Sequence, residues 1–378
     1  MRVADWLMSI AVSVLVSCGL SARLTPPALA AEPPSPCRVH FRGMFPLPDT
    51  ATDADGDTVR LVGLSGVTWL GGDRYAAIVD NSRWLARFRL SLAADGAITA
   101  VNDLRLIGLG EPHDYEDLAT CPDSLSSRIV AHRLRRGFTD PGPCLLVCEE
   151  DTPAVRAVAL DSGDLLGVVP IPEPLRSPRP NRGLEALAVD PDGRHVWTAN
   201  EEALPADGPP PTADAGTVVR LARIPVPTAG DGARAEPRQF AYRVDPPHAF
   251  VRLLQGEPLS GVAAIVALGD DKLLVLERSG GPGLPPFENR IHLVDCARAT
   301  DVSDIDRDLA DRAADLLTKR VLWKDSLGCN VEGLCLGPAI AGGRRALIAI
   351  ADNGGLGSPT QLVAFTLEGP PPGRLTSP

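Results

Sequence analysis

Carboxylates stand at both ends of a strand pair that recurs five times along the sequence. The clearest copy spans residues 181–202, NRGLEALAVDPDGRHVWTANEE, with Pro-Asp-Gly at 191–193 in the position of a tight turn. Glu185 opens its first strand and Glu201 follows its second strand. Antiparallel pairing would bring both acids to one end of the hairpin. Carboxylates gathered in this way share protons or hold a cation, and Ca²⁺ or Mg²⁺ prefers oxygen ligands.

Each of the other four copies has an acid or a small polar residue at its entry and an acid at its exit. The residues predicted at the entry of each hairpin are Ser65, Glu116, Glu185, Ser260 and Glu332, and those at the exit are Asp80, Glu149 or Glu150, Glu201, Glu277 and Asp352. If the first strand of each copy lines a central channel, these side chains gather at its mouth. The alternative is that each acid accepts backbone N–H groups and fixes a turn within its own repeat.

Repeats of four short strands predict an all-β protein with a β-propeller fold. The 37 prolines and 36 glycines agree with frequent turns. We count five four-stranded blades, and six remains an alternative because insertions near residues 128–138 and 246–257 could conceal strands. The fifth copy lacks one strand, which the isolated strand at residues 37–46 is expected to supply. Apolar residues at helical spacing in residues 303–319 predict one short inserted helix.

The first 30 residues have the features of an export signal. Arg2 precedes an apolar stretch at residues 6–20, and Ala28-Leu29-Ala30 matches a small-x-small cleavage site. We therefore predict a secreted or periplasmic protein with one domain at residues 31–367 and a Pro-rich tail at 368–378. Leu15-Val16-Ser17-Cys18 also resembles a lipobox, so the alternative is a protein anchored in the cell envelope by lipid on Cys18.

The net charge limits the possible binding partners, and the cysteine content indicates disulfides. The net charge of −11 and the scattered basic residues argue against nucleic acid or an anionic membrane surface. We expect a monomer that acts on a small molecule, with membrane contact only through an anchor at Cys18. Seven further cysteines predict disulfides in an oxidising compartment, with one thiol left over. Cys121 is the favoured partner for Cys144 or Cys148.

Five motifs in order resemble those of the phytase-like family, which is described as having esterase-like activity of phytase. They are GLSG with Asp80-Asn81, DYEDLA from Asp114, NRGLEAL from Asn181, LSGV with LER ending at Arg278, and NVEGL from Asn330 with Asp352-Asn353. The resemblance covers about residues 63–367. Asp117 and Ala186 depart from the glycine common at those positions. The resemblance implies an exported, propeller-like hydrolase of phosphate esters or other esters.

For a hydrolase of this kind we predict a metal-assisted mechanism, with Ca²⁺ as the favoured cation. The predicted catalytic residues are Glu116, Glu185, Glu332 and Arg278; the substrate-binding residues are Arg182, Arg278, Asn353 and His113; the metal ligands are Asp80, Glu149, Glu201, Glu277 and Asp352. Arg278 has an alternative role as an internal salt-bridge partner. A serine nucleophile is disfavoured because Ser65 and Ser260 lack the G-x-S-x-G context. The competing function is a non-catalytic propeller that binds a ligand or an envelope partner.

Overall fold

The structure is a computed structural model that describes residues 37–135, 139–226, 235–253, 255–352 and 360–369. These residues belong to one compact unit, 36–378. The predicted signal peptide with Cys18, the predicted substrate-binding residue Asn353 and residues 370–378 of the tail lie outside the described residues.

The described chain forms five sheets of at least four strands, arranged as a five-bladed β-propeller, and their strands are antiparallel except for the parallel pair of β2 with β7 in blade one. Strand β1 (Arg38–Pro46) comes first. Blade one contains β2 (Thr50–Thr52), β3 (Thr58–Arg60), β4 (Leu64–Trp69), β5 (Arg74–Val79), β6 (Ser82–Leu92) and β7 (Ile98–His113). Blade two contains β8 (Tyr115–Thr120), β9 (Cys144–Glu149), β10 (Ala154–Ala159) and β11 (Leu165–Val169), and blade three contains β12 (Leu184–Val189), β13 (His195–Asn200), β14 (Val218–Pro225) and β15 (Arg238–Arg243).

Blade four is preceded by β16 (Val251–Arg252) and contains β17 (Leu259–Gly269), β18 (Lys272–Gly280), β20 (Phe287–Asp295) and β21 (Lys319–Asp325). Strand β19 (Gly283–Leu284) pairs with β16 in a small separate ladder. Blade five contains β22 (Asn330–Ile340), β23 (Arg344–Asp352) and β24 (Gln361–Glu368). Short 3₁₀ turns occupy Glu173–Arg176 and Ala341–Gly343.

The first strands of the blades surround a common axis. Strand β4 contacts β8, β8 contacts β12, β12 contacts β17, β17 contacts β22, and β22 contacts β4 again. Strand β1 completes blade five by pairing with β24, with Val39 opposite Leu367. The prediction of five blades closed by the N-terminal strand is therefore confirmed. Six blades are excluded within the described residues, because the two insertions contain a helix and the β16–β19 ladder.

Apolar cores lie between neighbouring blades, which explains the near-continuous apolar runs of the first strands. Each such strand packs against a blade on both sides, so it buries residues of both faces rather than alternate ones. In β17, for example, Val262, Ile265 and Ala267 belong to the core shared with blade three, whereas Ala264 and Val266 belong to the core shared with blade five. This packing holds the first strands at a fixed distance from the channel axis.

The inserted helix lies at a different place from the one predicted. The α-helix α1 (Asp123–Arg135) follows β8, within the long insertion of blade two. Residues 303–319 contain only the 3₁₀ turns Leu309–Asp311 and Ala313–Asp315. Asp308 has a positive φ of 62°, which interrupts a right-handed helix. The helical spacing arises because Leu309 and neighbouring apolar residues are anchored in a small core against blade three.

The predicted disulfides are not confirmed. No disulfide joins any two of the seven cysteines in the described part of the chain. Cys121 and Cys144 are nevertheless neighbours on β8 and β9, since the backbone N–H of Cys121 donates to the Cys144 carbonyl at 3.2 Å. Among the residues that the structure describes, no helix has the length and apolar character needed to cross a membrane.

Candidate functional site

A β-bulge interrupts the first strand of every blade near one end of the channel. The last regular pair before each bulge is Leu64 with Val79, Tyr115 with Glu149, Leu184 with Asn200, Val262 with Glu277, and Val331 with Ala351. A bulge adds an unpaired residue and redirects its side chain. The residues immediately after these pairs are Ser65, Glu116, Glu185, Ala263 and Glu332. The bulges therefore turn one side chain per blade toward the mouth of the channel.

The register corrects the alignment predicted for blade four. Ala263, rather than Ser260, occupies the entry position, and the Ser260 hydroxyl donates to the Asp245 carbonyl at 2.7 Å. Arg278, rather than Glu277, occupies the exit position that follows the paired strand. By the same register, Glu150, rather than Glu149, occupies the exit position of blade two. The sequence alignment failed because the LSGV motif of blade four resembles that of blade one, but its bulge lies three residues further along the strand.

Glu149 and Glu277, both predicted as metal ligands, lie away from the mouth. Glu149 is fully buried, with His113 Nδ1 2.8 Å from its Oε1 and Arg156 on its other oxygen. Glu277 accepts a hydrogen bond from Tyr242 at 2.6 Å and is paired with Lys319. These contacts place each acid between outer parts of the fold, on the opposite face of its strand from the mouth.

Eight carboxylates form the cluster that we call the acidic mouth. They are Asp80, Asp114, Glu116, Glu150, Glu185, Glu201, Glu332 and Asp352. Glu150, Glu185 and Glu201 each place a carboxylate oxygen within 4.8 Å of the others, and Asp80, Asp114 and Glu116 do the same. The charges of Asp80 and Asp352 act on Glu332, which connects the two groups around the ring. Sequence analysis predicted six of these eight, named Glu150 as an alternative, and left out Asp114.

Arg278 neutralises one side of the acidic mouth. Its guanidinium donates to Glu332, to Glu201 at 2.5 Å and to Glu185 at 3.2 Å, so it joins three blades. Arg182 adds a second cation, with contacts of 2.9 Å to Glu201 and 3.0 Å to Glu202. Of the two roles considered for Arg278, the structure shows the internal salt bridge. The side chain of Arg278 is 12% exposed.

The other side of the mouth has carboxylates without a cationic partner. We call Asp80, Asp114 and Glu116 the open triad. Glu116 accepts a hydrogen bond from Ser65 at 2.8 Å, and Asp80 accepts one from the Asn81 amide at 2.7 Å. No arginine or lysine in the described part of the chain forms an ion pair with the open triad. Three carboxylates that share so little space must therefore hold protons or a cation.

The pKa values of these carboxyls reflect this crowding. Burial and the adjacent Asp114 raise the pKa of Asp80 to about 7. Burial, together with the charges of Asp80 and Glu332, raises the pKa of Glu116 well above its usual range. Burial also raises the pKa of Glu332 to about 7, although Arg278 opposes this change. The acidic mouth thus contains groups that exchange protons near neutral pH.

The donor set of the open triad fits a hard divalent cation. All its ligand atoms are carboxylate oxygens, and Ca²⁺ binds oxygens at 2.3–2.6 Å. Two ligands on opposite sides of such an ion are at most about 5 Å apart, and the oxygens of the triad lie within 4.8 Å of one another. Of the predicted metal ligands, Asp80 belongs to this group, whereas Glu201 faces Arg278 and Arg182.

Asp117 is a buried residue of the channel whose role the sequence did not reveal. It follows Glu116 directly and is 1% exposed. Its carboxylate accepts the backbone N–H groups of Leu118 and of Leu187 in blade three, each at 2.8 Å. Gly66 of blade one packs so closely that an added Cβ would lie 2.5 Å from Asp117 Oδ1. Asp117 therefore links three blades directly beneath the mouth. The sequence feature that could have indicated this role is the aspartate itself, which stands where the phytase-like pattern commonly has glycine.

His113 lies beside the mouth rather than in it. Its ring contacts Glu149 and packs edge-on against Tyr115 at 5.5 Å between ring centroids. Its role in substrate binding remains a prediction.

The fold and the site together define a five-bladed β-propeller with a carboxylate-lined channel mouth. A family model described as "Phytase-like: Esterase-like activity of phytase" matches residues 59–355. This match covers most of the chain and includes every residue of the acidic mouth. The protein belongs to the phytase-like family.

Comparisons with other proteins give weaker similarities. No curated protein sequence matches the chain. Similar solved structures include a humanized mutant of the Chaetomium thermophilum Polycomb Repressive Complex 2, with 12% identity, 83% of this chain and 71% of that chain covered, and a TM-score of 0.36. The tail fiber of Staphylococcus aureus phage P68 has 8% identity, coverages of 86% and 53%, and a TM-score of 0.38. A streptogramin B lyase has 10% identity, coverages of 88% and 98%, and a TM-score of 0.33. Values this low carry no argument about function.

Proposed function

We propose that this protein is an exported hydrolase that cleaves a phosphate ester or another ester at the acidic mouth with the help of a divalent cation. The observation that carries the proposal is the open triad, in which the buried Glu116 and the half-buried Asp80 and Asp114 share a small space, with neutral hydrogen-bond partners for Glu116 and Asp80. Membership of a family described by esterase-like activity supports the reaction class.

The open triad would hold the cation, and Ca²⁺ is the ion favoured by its all-oxygen donors. A bound divalent cation neutralises charge on a phosphate and makes a bound water more acidic. Asp80 and Asp114 would then lose the proton that crowding now favours. Ser65, which donates to Glu116 at 2.8 Å, would keep that carboxylate oriented toward the ion.

Glu332 is the residue to which we assign proton transfer. Its pKa of about 7 suits a group that gives and takes a proton near neutral pH. Water oxygen bonds to phosphorus, the ester oxygen leaves with the proton of Glu332, and Glu332 regains a proton from the attacking water. Glu185 and Glu201 hold Arg278 beside this group, and the more exposed Arg182 is available to the phosphate.

The test is hydrolysis by the purified mature chain of phytate, p-nitrophenyl phosphate and short acyl esters, with Ca²⁺ or with a chelator. We expect metal-dependent turnover, and a loss of at least about 100-fold for Glu116→Gln, because one ligand of the cation is neutralised. Glu173→Gln changes an exposed glutamate, 82% exposed, and serves as the matched control. Calorimetric titration with Ca²⁺ should show weaker binding only for Glu116→Gln.

Absence of turnover on every substrate, with Ca²⁺ binding intact, would favour the alternative of a non-catalytic propeller that binds a ligand. Equal activity of Glu116→Gln and the parent protein would remove the open triad from the reaction.

A further inference from the structure

A second cavity opens at the other end of the channel. It has a volume of about 370 Å³ and is lined by residues 67–69, 118–120, 187–189, 265–267 and 334–336, with 121–124 and 190–193 at its rim. We call it the apolar cavity. On every blade the lining begins two residues beyond the bulge position that faces the acidic mouth. At about 3.3 Å per residue, the cavity starts about 7 Å further along the channel.

Asp117 lies between the two sites. It occupies the position directly after Glu116, one residue before the cavity lining begins, and its carboxylate is bound by backbone N–H groups of blades two and three. The apolar cavity therefore lies outside the acidic mouth and plays no part in the reaction proposed above.

The walls of the apolar cavity suit a hydrocarbon group. Leucine, isoleucine, valine, alanine and Trp69 make up most of the lining, and the volume falls within the range typical of small-molecule sites. The Trp69 ring is held in place, since its indole N–H donates to the Gly72 carbonyl at 2.9 Å. All five blades contribute residues to this apolar wall.

The rim is acidic. Asp123, Asp190 and Asp192 contribute to it, and the residues that line the cavity include no arginine, lysine or histidine. Asp190 is engaged by His195 at 2.7 Å and by Trp197 at 2.8 Å. Asp123 and Asp192 are exposed, and Asp192 forms an ion pair of 3.5 Å with Arg194, which is itself 74% exposed. Apolar walls below an acidic rim select a molecule with a hydrocarbon body and a cationic head.

We propose that the apolar cavity is a binding site for a small amphiphilic cation, with an ammonium group at the rim and a hydrocarbon chain in the channel. This inference is independent of the proposed hydrolysis, because it concerns different residues and needs no metal.

The test uses octyltrimethylammonium as the probe, below its micelle concentration, with octyl sulfate as the anionic control. Binding to the full mature chain is measured by calorimetry and by tryptophan fluorescence, with Trp69→Phe to identify the signal. We expect saturable 1:1 binding of the cation, at least about fivefold tighter than that of octyl sulfate. The fluorescence change should disappear in Trp69→Phe while the calorimetric signal remains.

Two variants test the two parts of the site. Asp123→Asn combined with Asp192→Asn should weaken binding of the cation about fivefold. The matched control Asp55→Asn with Asp57→Asn makes the same charge change on an exposed turn that does not line the cavity, and it should have no effect. Thr120→Trp should fill the cavity and abolish binding. Thr58→Trp, on an exposed edge strand, controls for added aromatic surface.

Equal affinity for octyl sulfate, unchanged affinity in the double rim variant, or binding that survives Thr120→Trp in a protein of normal melting temperature would each overturn the proposal. Glu116→Gln should bind octyltrimethylammonium as the parent does, so failure of the proposed hydrolase function and failure of this site are distinguishable.

Discussion

Arg278 explains how eight carboxylates can share one channel mouth in a folded protein. It occupies the exit position at which the other four blades carry Asp80, Glu150, Glu201 and Asp352, and it contacts acids from blades three and five. A buried charge requires compensation by opposite charge. One side of the mouth thus contains its own cation, whereas the open triad depends on a cation or protons from solution.

Replacement of Arg278 by methionine should destabilise the protein by about 3–5 kcal/mol at pH 7, because Glu185, Glu201 and Glu332 would lose their shared partner. The loss should be smaller at pH 5, where the carboxyls take up protons, and Ca²⁺ should restore part of it. Urea unfolding measures each effect. Arg194→Met removes an exposed arginine and should change stability by less than about 1 kcal/mol. Equal losses of stability in the two variants would contradict the role of Arg278 as the shared partner of these carboxylates.

The raised carboxyl pKa values give a definite pH dependence. Asp80 and Glu332 have pKa values of about 7 in the folded protein, above those of an unfolded chain, so the folded state binds more protons between about pH 4 and 7. Stability without metal should therefore fall as pH rises from 5 to 8, by at most about 1.4 kcal/mol per pH unit for each group.

Stabilisation by Ca²⁺ should show the opposite trend and grow over the same range, because deprotonated carboxylates bind the ion. Urea midpoints in chelator and in Ca²⁺ from pH 5 to 8 measure both effects. A chelator curve that rises with pH would contradict the protonated mouth, and a Ca²⁺ effect independent of pH would argue against carboxylate ligands.

At the scale of single elements, the bulge in each first strand determines which side chains reach the mouth. The sequence revealed the strand pairs and most of the acids, because apolar runs and tight turns are local signals. It did not reveal the bulges, since an extra residue depends on pairing with the neighbouring strand. For this reason the sequence pattern alone places Glu277 and Ser260 at the mouth, and it predicts Arg278 there without its three partners. The sequence pattern does not indicate Asp114, because only the pairing of β8 with β9 places it opposite Glu150.

The close contact between Gly66 and Asp117 gives a test at this scale. Gly66→Ala would place a methyl group 2.5 Å from Asp117 Oδ1, which should cost about 1–3 kcal/mol in unfolding free energy. The Asp117 Cα, at 2.6 Å, and the Glu116 carbonyl oxygen, at 3.0 Å, are also close to this methyl group. Adding Asp117→Gly should therefore relieve only the part of the clash that involves the carboxylate, and the double variant should be somewhat more stable than the sum of the single changes predicts. Gly167→Ala on β11 meets no atom within 4 Å and is the matched control. Additive losses in urea unfolding would show that the Asp117 carboxylate takes no part in the clash.

At the scale of the molecule, the five blades hold the mouth together because the ring is closed. The number of blades and the closing role of β1 followed from counting strands, since a fifth copy with one strand too few needs a partner for its exposed edge. The position of the helix could not be predicted in this way, because the apolar residues in 303–319 are spaced for packing against blade three and do not form a helix face. Local patterns thus predict the repeat, whereas insertions depend on tertiary contacts.

Closure by β1 predicts that damage to this strand loosens blade five. Val39 is buried against Leu367 and its neighbours, so Val39→Asp places an unpaired charge in the core between blades four and five. We expect a loss of about 2–4 kcal/mol in unfolding free energy, and faster hydrogen exchange in β24 than in β13 of blade three. Met44→Asp introduces the same charge on the same strand at a residue that is 37% exposed, and it should leave exchange in β24 nearly unchanged. Equal acceleration of exchange in β24 and β13 by Val39→Asp would contradict this prediction. Blade five would then unfold only together with the whole ring, and β1 would stabilise one cooperative unit rather than blade five alone.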